Sequence, residues 1–234
     1  MRVSVIVPTL NEASNIERRA REIACQTGPI EWIVADGGSS DATRELAAAA
    51  GATVVVSERG RGAQLDRGAA CASGDVLLFL HADTALPPGA IATIRVALGD
   101  ARVVGGNFTL RFDEPTLFPR FFAGVYALQQ WLFGVYYGDS AIFVRAQTYR
   151  TIGGFGPIPI MEDYAFVTRL RRAGRTVKLP TIVTTSARRF SAAPLRALWV
   201  WLTILVLYHL GVPPQRLAQL YRPHRADGES STSR

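Results

Sequence analysis

The sequence contains few cysteines, a single lysine and no leader-like apolar run at its start, and each shortage narrows the choice of protein class. Two cysteines, Cys25 and Cys71, cannot form a framework of disulfides and lack a metal-binding spacing, so we predict two buried thiols in a reducing compartment. The first residues lack the apolar stretch and small-residue cleavage site of a signal peptide. We therefore expect the chain to begin with a strand and to work in the cytoplasm.

The basic residues point to an anionic partner. Lys178 is the only lysine among 26 basic residues, so arginine supplies almost all of the positive charge. Arginine forks suit phosphate oxygens, although a GC-rich genome gives the same bias. The net charge of +7 favours a nucleotide or an acidic membrane surface as partner, and we predict no nucleic-acid partner.

The length limits the number of domains. With 234 residues, of which 48% are hydrophobic, the chain can bury one α/β core and a small appendage. We predict one domain over residues 1–194, an apolar helical segment over 195–221 and a disordered tail over 222–234. The tail is rich in Ser, Arg and Gly and lacks the apolar residues of a core.

Strand-like and helix-like segments alternate through the first half of the chain. Short apolar runs predict four strands, at residues 3–7, 30–35, 53–57 and 76–80. Helices are predicted between them, at 42–50, 63–73 and 89–98, and a further helix follows the first strand. This rhythm predicts a mainly parallel sheet with helices on both faces.

The second half is less regular. We predict strands at 103–112 and 141–145, a turn-rich connection at 113–119 and a helix from 161 to about 173. Residues 177–186 supply one or two edge strands. The stretch 117–137 is crowded with aromatic residues, which could line an acceptor groove but at helical spacing are more often core.

Polar turns follow three of the predicted strands. They are PTLNE at residues 8–12, DGGSSD at 36–41 and HADT at 81–84. Residues that follow successive parallel strands meet along one edge of the sheet, where α/β proteins bind ligands. Carboxylates gathered there, together with a metal ion, suit a diphosphate.

These turns and a later Glu162-Asp163 pair resemble the motifs of the family 2 glycosyltransferases. The resemblance covers roughly residues 1–189, and its four motifs occur in the expected order. It is closest to a bacterial subgroup whose acceptors are mostly unassigned. The resemblance implies an α/β protein of the GT-A fold, with a Rossmann-like, mainly parallel sheet flanked by helices, here followed by an apolar C-terminal helical segment.

The resemblance assigns the first two turns to a nucleotide diphosphate sugar. It implies that four residues of the first turn line the nucleotide, namely Pro8, Thr9, Asn11 and Glu12. It also implies that Asp36 accepts a base-edge N–H and that Arg61 lies near the nucleotide. Asn and Asp often stabilise turns, so Asn11 and Asp36 could serve the backbone instead.

The third turn carries the predicted metal ligands. The family usually has two acids spaced by one residue, but here His81 takes the first position and Asp83 the second. Asp83 can bind Mg²⁺ or Mn²⁺ through oxygen, and the His81 nitrogen suits Mn²⁺ better than Mg²⁺. His81 could alternatively face the ribose or pack at the end of the strand.

The Glu162-Asp163 pair carries the predicted chemistry. By resemblance, Asp163 is the general base that takes the proton of an acceptor hydroxyl, and Glu162 orients the site. Acids are also favoured at a helix N-terminus, so a capping role is the alternative. A polyprenyl-phosphate acceptor is already anionic, and with it Asp163 would only position groups.

Two further sites follow from the resemblance. Arg188 and Arg189 lie where relatives carry a basic and aromatic motif beside the diphosphate, although basic residues in this region could simply be solvated. Gly138 and Asp139 resemble the acceptor-side loop.

Residues 195–212 form an apolar segment without a clear partner. No Asp, Glu, Lys or Arg occurs from 197 to 215, but a helix of about 17 residues spans roughly 25 Å, less than a bilayer core of about 30 Å. Such a helix must pack on the domain, form a homodimer seam or insert in a membrane interface.

The sequence thus predicts a metal-dependent, inverting glycosyltransferase that moves a hexose from a nucleotide diphosphate sugar to a lipid-linked or small hydroxyl acceptor. A sugar-1-phosphate nucleotidyltransferase is the first alternative, but the first strand lacks the Gly-rich phosphate loop expected there. A non-catalytic sugar-nucleotide-binding protein is the second, and it has no obvious use for Asp163.

Overall fold

In the computed structural model, a single twisted sheet organises the chain. The structure describes residues 1–114, 117–187 and 194–220. The strands are β1 Val3–Thr9, β2 Ile30–Asp36, β3 Thr53–Val56, β4 Val76–Phe79, β5 Thr84–Ala85, β6 Val103–Phe112, β7 Ile142–Arg145 and β8 Arg175–Thr185. The helices are α1 Ala13–Ala24, α2 Thr43–Ala49, α3 Arg61–Cys71, α4 Ala90–Ala97, α5 Leu117–Phe133, α6 Ala146–Thr151, α7 Glu162–Ala173, α8 Pro194–His209 and α9 Pro214–Leu220.

The sheet is parallel in its first half and mixed in its second. The strand order is β3-β2-β1-β4-β7-β6-β8-β5. Strands β3, β2, β1 and β4 are parallel, whereas β7 runs antiparallel to both of its neighbours. The polar turns after β1, β2 and β4 therefore lie at the same edge, as predicted.

Two apolar layers cover the sheet because its central strands are apolar on both faces. Val5 and Val7 of β1 belong to the cluster that α1 and α4 complete, whereas Ile6 belongs to the opposite cluster with residues of α3, α6 and α7. All three side chains are fully buried. This two-sided burial explains why β1 is a continuous apolar run, as is usual in parallel sheets.

Strand β6 depends on glycine to fit between its neighbours. A β-carbon on Gly106 would lie 1.9 Å from the carbonyl oxygen of Val177 in β8, and one on Gly105 would lie 2.5 Å from that of Phe143 in β7. Side chains at these two positions would push the strands apart. The pair therefore fixes how closely β6 packs between β7 and β8.

Strand β8 differs from the prediction of one or two edge strands. It is one strand, paired with β6 on one side and with the two-residue β5 on the other. Its register with β6 shifts where Phe108 pairs with Leu179 and Thr109 pairs with Ile182. Pro180 lies in this shift, and because proline has no N–H to donate, it interrupts the ladder without ending the strand.

The cysteine prediction is wrong. Cys25 and Cys71 are both exposed free thiols. Each residue lies at the C-terminal end of a helix, α1 or α3, where the chain turns toward solvent. Cysteine is a small, mostly apolar residue, and its residue type alone did not distinguish these exposed positions from buried ones.

Helix α8 packs on the sheet-bearing part of the chain. Its Ile204 is buried beside Met161 and Leu217, and its Trp201 contacts Phe122 of α5 with the ring centroids 5.5 Å apart. In the parts of the chain that the structure describes, no helix is long and apolar enough to cross a bilayer. The predicted tail at 222–234 lies outside the described residues.

Candidate active site

A buried carboxylate organises the corner where β1 and β2 end. Asp36 is fully buried and accepts hydrogen bonds from Thr9 Oγ1 at 3.1 Å and from the amides of Gly38 and Ser39 at 3.1 and 2.9 Å. The Ser39 hydroxyl donates to the same carboxylate. Burial alone would raise the pKa of Asp36, but these four donors outweigh it and lower the pKa.

Asn11 holds the neighbouring turn. Its backbone is left-handed at φ 56°, and its side-chain oxygen accepts from the amide of Ser40 at 2.8 Å. Its own amide donates to Ser39 Oγ at 2.9 Å. The geometry therefore gives Asn11 and Asp36 the turn-stabilising contacts that the sequence left as an alternative, and their contact with a nucleotide stays a prediction.

The other two residues of the first turn lie beside this corner. Pro8 pairs with Ala35 in the ladder between β1 and β2. The amide of Glu12 donates to Thr43 Oγ1 at 2.8 Å, and its carboxylate accepts from Asn15 Nδ2 at 2.7 Å. Glu12 thus ties the start of α1 to the start of α2.

The first turn of α3 joins the nucleotide corner to the acidic pair. Gln64 is buried and donates to the carbonyls of Thr9 at 2.7 Å and Ala35 at 2.9 Å. One turn earlier, the Arg61 guanidinium is ion-paired with Glu162 and lies 3.9 Å from Asp163 Oδ2. Our sequence analysis missed Gln64, whose position three residues after Arg61 on a helix was the available signal.

Glu162 and Asp163 are buried at the start of α7. They are 2% and 6% exposed, so water reaches neither carboxylate freely. Burial raises the pKa of Glu162, and the charge of Asp163 raises it further, although Arg61 opposes both effects. Burial would lower the pKa of Arg61, but the two carboxylates outweigh it and keep the guanidinium charged.

Asp163 contacts the predicted acceptor-side loop at Gly138, beside which His81 also lies. The amide of Gly138 donates to Asp163 Oδ2 at 2.9 Å, and the amide of Tyr164 donates to Oδ1 at 2.8 Å. A β-carbon on Gly138 would lie 2.8 Å from His81 Nε2 and 3.6 Å from Asp163 Oδ2. The two side chains therefore converge on Gly138, where the absence of a side chain leaves room for them.

Asp83 is held in place from α1. It is half-buried, and its charge acts on Arg19, a fully buried arginine. Arg19 donates to the carbonyl oxygen of Thr84, the residue after Asp83, and is ion-paired with Glu22. Burial lowers the pKa of Arg19 to about 10, against the opposing charges of Glu22 and Asp83.

The loop before the acidic pair has its own anchor. Asp66 of α3 accepts from the amides of Phe155 and Gly156, both at 2.8 Å, and from the hydroxyl of Tyr149. Asp66 was not singled out by the sequence, because a single acid on a helix carries no motif. It fixes the loop that delivers Glu162.

Backbone strain is concentrated at the site. Among the described residues, the non-glycine residues with left-handed φ are Asn11, Ala141 and Met161, at 56°, 53° and 65°. Asn11 lies in the first turn, Ala141 directly follows the 3₁₀ turn Gly138–Ser140, and Met161 directly precedes Glu162. Left-handed backbone costs about 1–2 kcal/mol at such residues, and it is found preferentially at functional sites.

A small pocket with both apolar and polar lining residues lies beside the predicted acceptor-side loop. Its volume is about 60 Å³, and its lining includes Asn107, Gln130, Tyr137 and Asp139. Gln130 Nε2 donates to Asn107 Oδ1 at 2.7 Å, and Asn107 Nδ2 donates to Ser140 Oγ at 3.1 Å. Asp139 therefore lies between this pocket and the Gly138 amide that holds Asp163.

Two predicted residues, Arg188 and Arg189, lie outside the described residues. Their contact with a diphosphate stays a prediction.

The sequence also matches a known protein family over more than half of its length. The model of glycosyl transferase family 2 matches residues 4–151. This chain belongs to that family.

The match to glycosyl transferase family 2 confirms the predicted family and shows that the protein is a glycosyltransferase. A PGL/p-HBAD biosynthesis glycosyltransferase of Mycobacterium bovis is 31% identical over 179 residues, which are 71% of this chain and 68% of the relative. A glucosyl-3-phosphoglycerate synthase of Mycobacterium tuberculosis is 36% identical over 96 residues, or 36% of this chain and 30% of that protein. The family speaks against the nucleotidyltransferase alternative.

Solved structures share the glycosyltransferase fold. A mannosyltransferase of Pyrobaculum calidifontis in complex with GDP-Man and Mn²⁺ superposes with a TM-score of 0.64 at 23% identity, covering 78% of this chain and 56% of that one. The glucosyl-3-phosphoglycerate synthase of Mycobacterium tuberculosis in complex with Mn²⁺, UDP and phosphoglyceric acid gives 0.60 at 20% identity, covering 91% and 79%. The predicted α/β fold with a helix-flanked sheet is confirmed.

The chemistry of Asp83 and His81 fits a divalent cation. Among the described residues, no three His, Cys, Asp or Glu side chains gather as a ligand set. Mg²⁺ at phosphate-transfer sites is typically held by one or two protein groups together with water and substrate phosphates. Asp83 and His81 would therefore suffice as protein ligands when the substrate brings a diphosphate, and their role as ligands stays a prediction.

Proposed function

We propose that this glycosyltransferase transfers a hexose from a nucleotide diphosphate sugar to an acceptor hydroxyl with inversion at the anomeric carbon. The observation that carries the proposal is the buried acidic pair, in which Asp163 accepts from the Gly138 amide, beside which His81 also lies, while Glu162 is ion-paired with Arg61. A base, a fixed cation and a loop amide at one point suit a displacement between two bound substrates.

Asp163 is the proposed general base. Its two oxygens each accept one backbone N–H, which orients the carboxylate and leaves lone pairs for a substrate hydroxyl. The acceptor oxygen attacks the anomeric carbon as its proton moves to Asp163, and the electron pair of the broken C–O bond leaves with the diphosphate. Attack from the face opposite the leaving group inverts the configuration.

Glu162 and Arg61 are proposed as positioning residues. The ion pair with Glu162 fixes the Arg61 guanidinium 3.9 Å from Asp163 Oδ2. Arg61 reaches the site from α3, whose Gln64 also holds the end of β1. A nucleotide seated at the β1–β2 corner would therefore lie beside the helix that carries Arg61.

The donor side follows from the polar edge of the sheet. The solved relatives were crystallised with GDP-Man or UDP, which supports a nucleotide diphosphate sugar here. Asp83 and His81 would hold Mn²⁺ or Mg²⁺, which when bound neutralises charge on the leaving diphosphate. We place the reaction on the cytoplasmic side, with a lipid-linked or small hydroxyl compound as acceptor.

A donor panel tests the reaction class. The protein is incubated with UDP-, GDP- and dTDP-hexoses with and without Mn²⁺, and the released nucleotide is measured. We expect metal-dependent release of nucleoside diphosphate from one donor. Pyrophosphate exchange would instead support a nucleotidyltransferase, and binding without turnover would support a non-catalytic binder.

Asp163→Asn tests the assignment of the base. We expect turnover to fall by about 10²–10⁴-fold, because the amide cannot accept the proton. Donor affinity measured by calorimetry should stay within about twofold, since the effect belongs to the chemical step. The control is Asp75→Asn, an exposed acid directly before β4 at the opposite edge of the sheet. A parallel loss of donor binding in Asp163→Asn would assign this residue to the nucleotide.

A further inference from the structure

Helices α5 and α8 carry an unusual share of exposed apolar side chains. Of the eleven large apolar side chains exposed in the described residues, seven lie on these helices or directly after α8. They are Phe121, Leu128, Trp131, Trp199, Leu202, Val206 and Leu210. Trp131 and Trp199 are 79% and 68% exposed. We call these seven residues the α5–α8 face.

The two helices form one body. Trp201 of α8 packs between Phe122 and Tyr126 of α5, with ring centroids 5.5 Å from each. The buried sides of both helices therefore already have partners within the chain, and the α5–α8 face is what remains outside. An apolar surface of this kind on a folded domain marks a binding surface.

Helix α8 and the sequence around it are rich in basic residues. Residues 164–226 include eleven Arg and Lys and no Asp or Glu. Arg196 of α8 and Arg216 of α9 are exposed, and the Arg171 guanidinium lies against Gly134, directly after α5. This charge complements an anionic surface, whereas a two-fold contact between copies would bring basic patches together.

The residue types at the face suit the edge of a lipid bilayer. Tryptophan is favoured at the boundary between headgroups and acyl chains, where its ring is partly apolar and its N–H is wet. Since the described helices are too short or too polar to cross a bilayer, the contact would lie in the membrane plane. Apolar burial and attraction to anionic lipids then act together.

We infer that the α5–α8 face docks on an anionic lipid bilayer. The face is coupled to the acidic pair, because the hydroxyl of Tyr164, next to Asp163, is hydrogen-bonded to His209 Nε2 of α8 at 2.7 Å. Tyr137, which precedes Gly138, also contacts Trp201. If the proposed function holds, docking brings the acceptor side of the site to the lipid surface.

Vesicle flotation tests the docking directly. The full chain is mixed with phosphatidylcholine vesicles that contain either no anionic lipid or about one third phosphatidylglycerol. We expect flotation with the anionic vesicles and much less with the neutral ones, with binding weakened by added salt. Quenching of the protein fluorescence by brominated lipid should accompany flotation. No flotation of the wild-type protein would overturn the inference.

Matched variants locate the contact. Trp131→Gln combined with Trp199→Gln should lower the vesicle partition coefficient at least about tenfold. Arg196→Gln combined with Arg216→Gln should lower it by about twentyfold on anionic vesicles. Val56→Gln combined with Val96→Gln, two exposed apolar residues on β3 and α4, is the control and should float like wild type. Equal flotation of the tryptophan variant would overturn the assignment to this face.

Two further measurements separate the alternatives. Light scattering measures the oligomeric state of the wild-type protein and of the tryptophan variant. If the wild type is a dimer, the variant is a monomer and neither binds vesicles, the face belongs to a second copy and the inference is overturned. Circular dichroism checks that each variant is folded, and the single tryptophan variants replace the double variant if it is not. Asp163→Asn should float like wild type, so failure of the transferase activity leaves this test intact.

Discussion

The carboxylates of this glycosyltransferase differ in their partners, and the partners decide what each can do. Asp36 receives four hydrogen-bond donors from its own turn and the adjacent Thr9. Asp163 receives two backbone amides, and Glu162 faces a guanidinium. A carboxylate whose donors all come from its own corner stabilises that corner, whereas one with unused lone pairs near a loop can serve a substrate.

Asp36→Asn should destabilise the protein in a pH-dependent way. The pKa of Asp36 is lowered from its ordinary value of 3.8, so the ionised carboxylate stabilises the folded state above that pH. This stabilisation is lost as the pH falls through the lowered pKa. We expect a loss of about 1–3 kcal/mol at neutral pH and a smaller loss near pH 3, measured by urea unfolding.

The control for this experiment is Glu17→Gln, an exposed carboxylate on α1. It should leave the unfolding free energy unchanged within about 0.5 kcal/mol at both pH values. If Asp36→Asn lowered the free energy of unfolding by the same amount near pH 3 as at neutral pH, the turn would not depend on the ionised form of Asp36.

At this scale the sequence was informative where a motif existed. The positions of Asp163, Glu162 and Gly138 were predicted, and the structure brings them together. Gln64 and Asp66 were missed, because their partners are backbone groups that come close only after folding. The pairing of Arg61 with Glu162 joins residues 101 apart, which no local pattern reports.

At the scale of elements, one face of α1 fixes the loop that carries the proposed metal ligands. Arg19 donates to the Thr84 carbonyl, Glu22 accepts from the Leu86 amide at 2.8 Å and Gln26 donates to the Pro87 carbonyl at 2.9 Å. These three residues are spaced by one helical turn each, so they follow the loop in order. Asp83 therefore lies at the start of a segment held along its length.

Arg19→Met should weaken both the fold and the metal site. Removing the guanidinium breaks the buried ion pair with Glu22 and the hydrogen bond to the Thr84 carbonyl, so we expect the free energy of unfolding to fall by about 3 kcal/mol. If Arg19 positions Asp83, a higher Mn²⁺ concentration should also be needed for donor binding, in the direction of Asp83→Ala. Chemical denaturation and metal titration measure the two effects.

Arg18→Met is the matched control, since Arg18 is the exposed neighbour of Arg19 on the same helix. It should change the free energy of unfolding by no more than about 0.5 kcal/mol, and the Mn²⁺ concentration needed for donor binding by no more than about twofold. A destabilised Arg19→Met with unaltered metal titration would mean that Arg19 acts on the fold alone.

The first half of the fold was predictable at this scale, and the second half less so. Strands β1 to β4 and the helices between them match the apolar runs within about two residues, because local pattern and parallel topology agree there. Strand β8 was not predicted to be interior, because its neighbours β6 and β5 are distant in sequence. Helix α5 was expected only as an aromatic stretch, which could line a groove but at helical spacing is more often core.

At the scale of the whole molecule, α8 contributes to a core cluster beside the proposed catalytic residues. Ile204 is 5% exposed, and it packs in a cluster with Met161, the residue directly before Glu162. Val206, two positions later, is 55% exposed. The helix thus has a side that stabilises the domain and a side that faces outward.

Ile204→Ala and Val206→Ala separate these two sides. We expect Ile204→Ala to lower the free energy of unfolding by about 2–5 kcal/mol, since it leaves a cavity in a buried cluster. Val206→Ala should change it by no more than about 0.5 kcal/mol. Both are measured by thermal and urea unfolding. Equal, small effects would mean that α8 is not part of the cooperative unit.

The left-handed residues around the site carry a consequence for how this scaffold can change. Glycine at Ala141 would relax the backbone there with the loss of only a methyl group, so selection for thermal robustness alone would draw this position toward glycine, whereas at Met161 it would also remove a buried side chain from the cluster with Ile204 and Leu217. Selection for turnover would resist it, because the left-handed torsions at Ala141 and Met161 orient the Gly138 loop and the proposed catalytic acids. Variants selected for stability and variants selected for turnover would therefore differ at these few backbone positions.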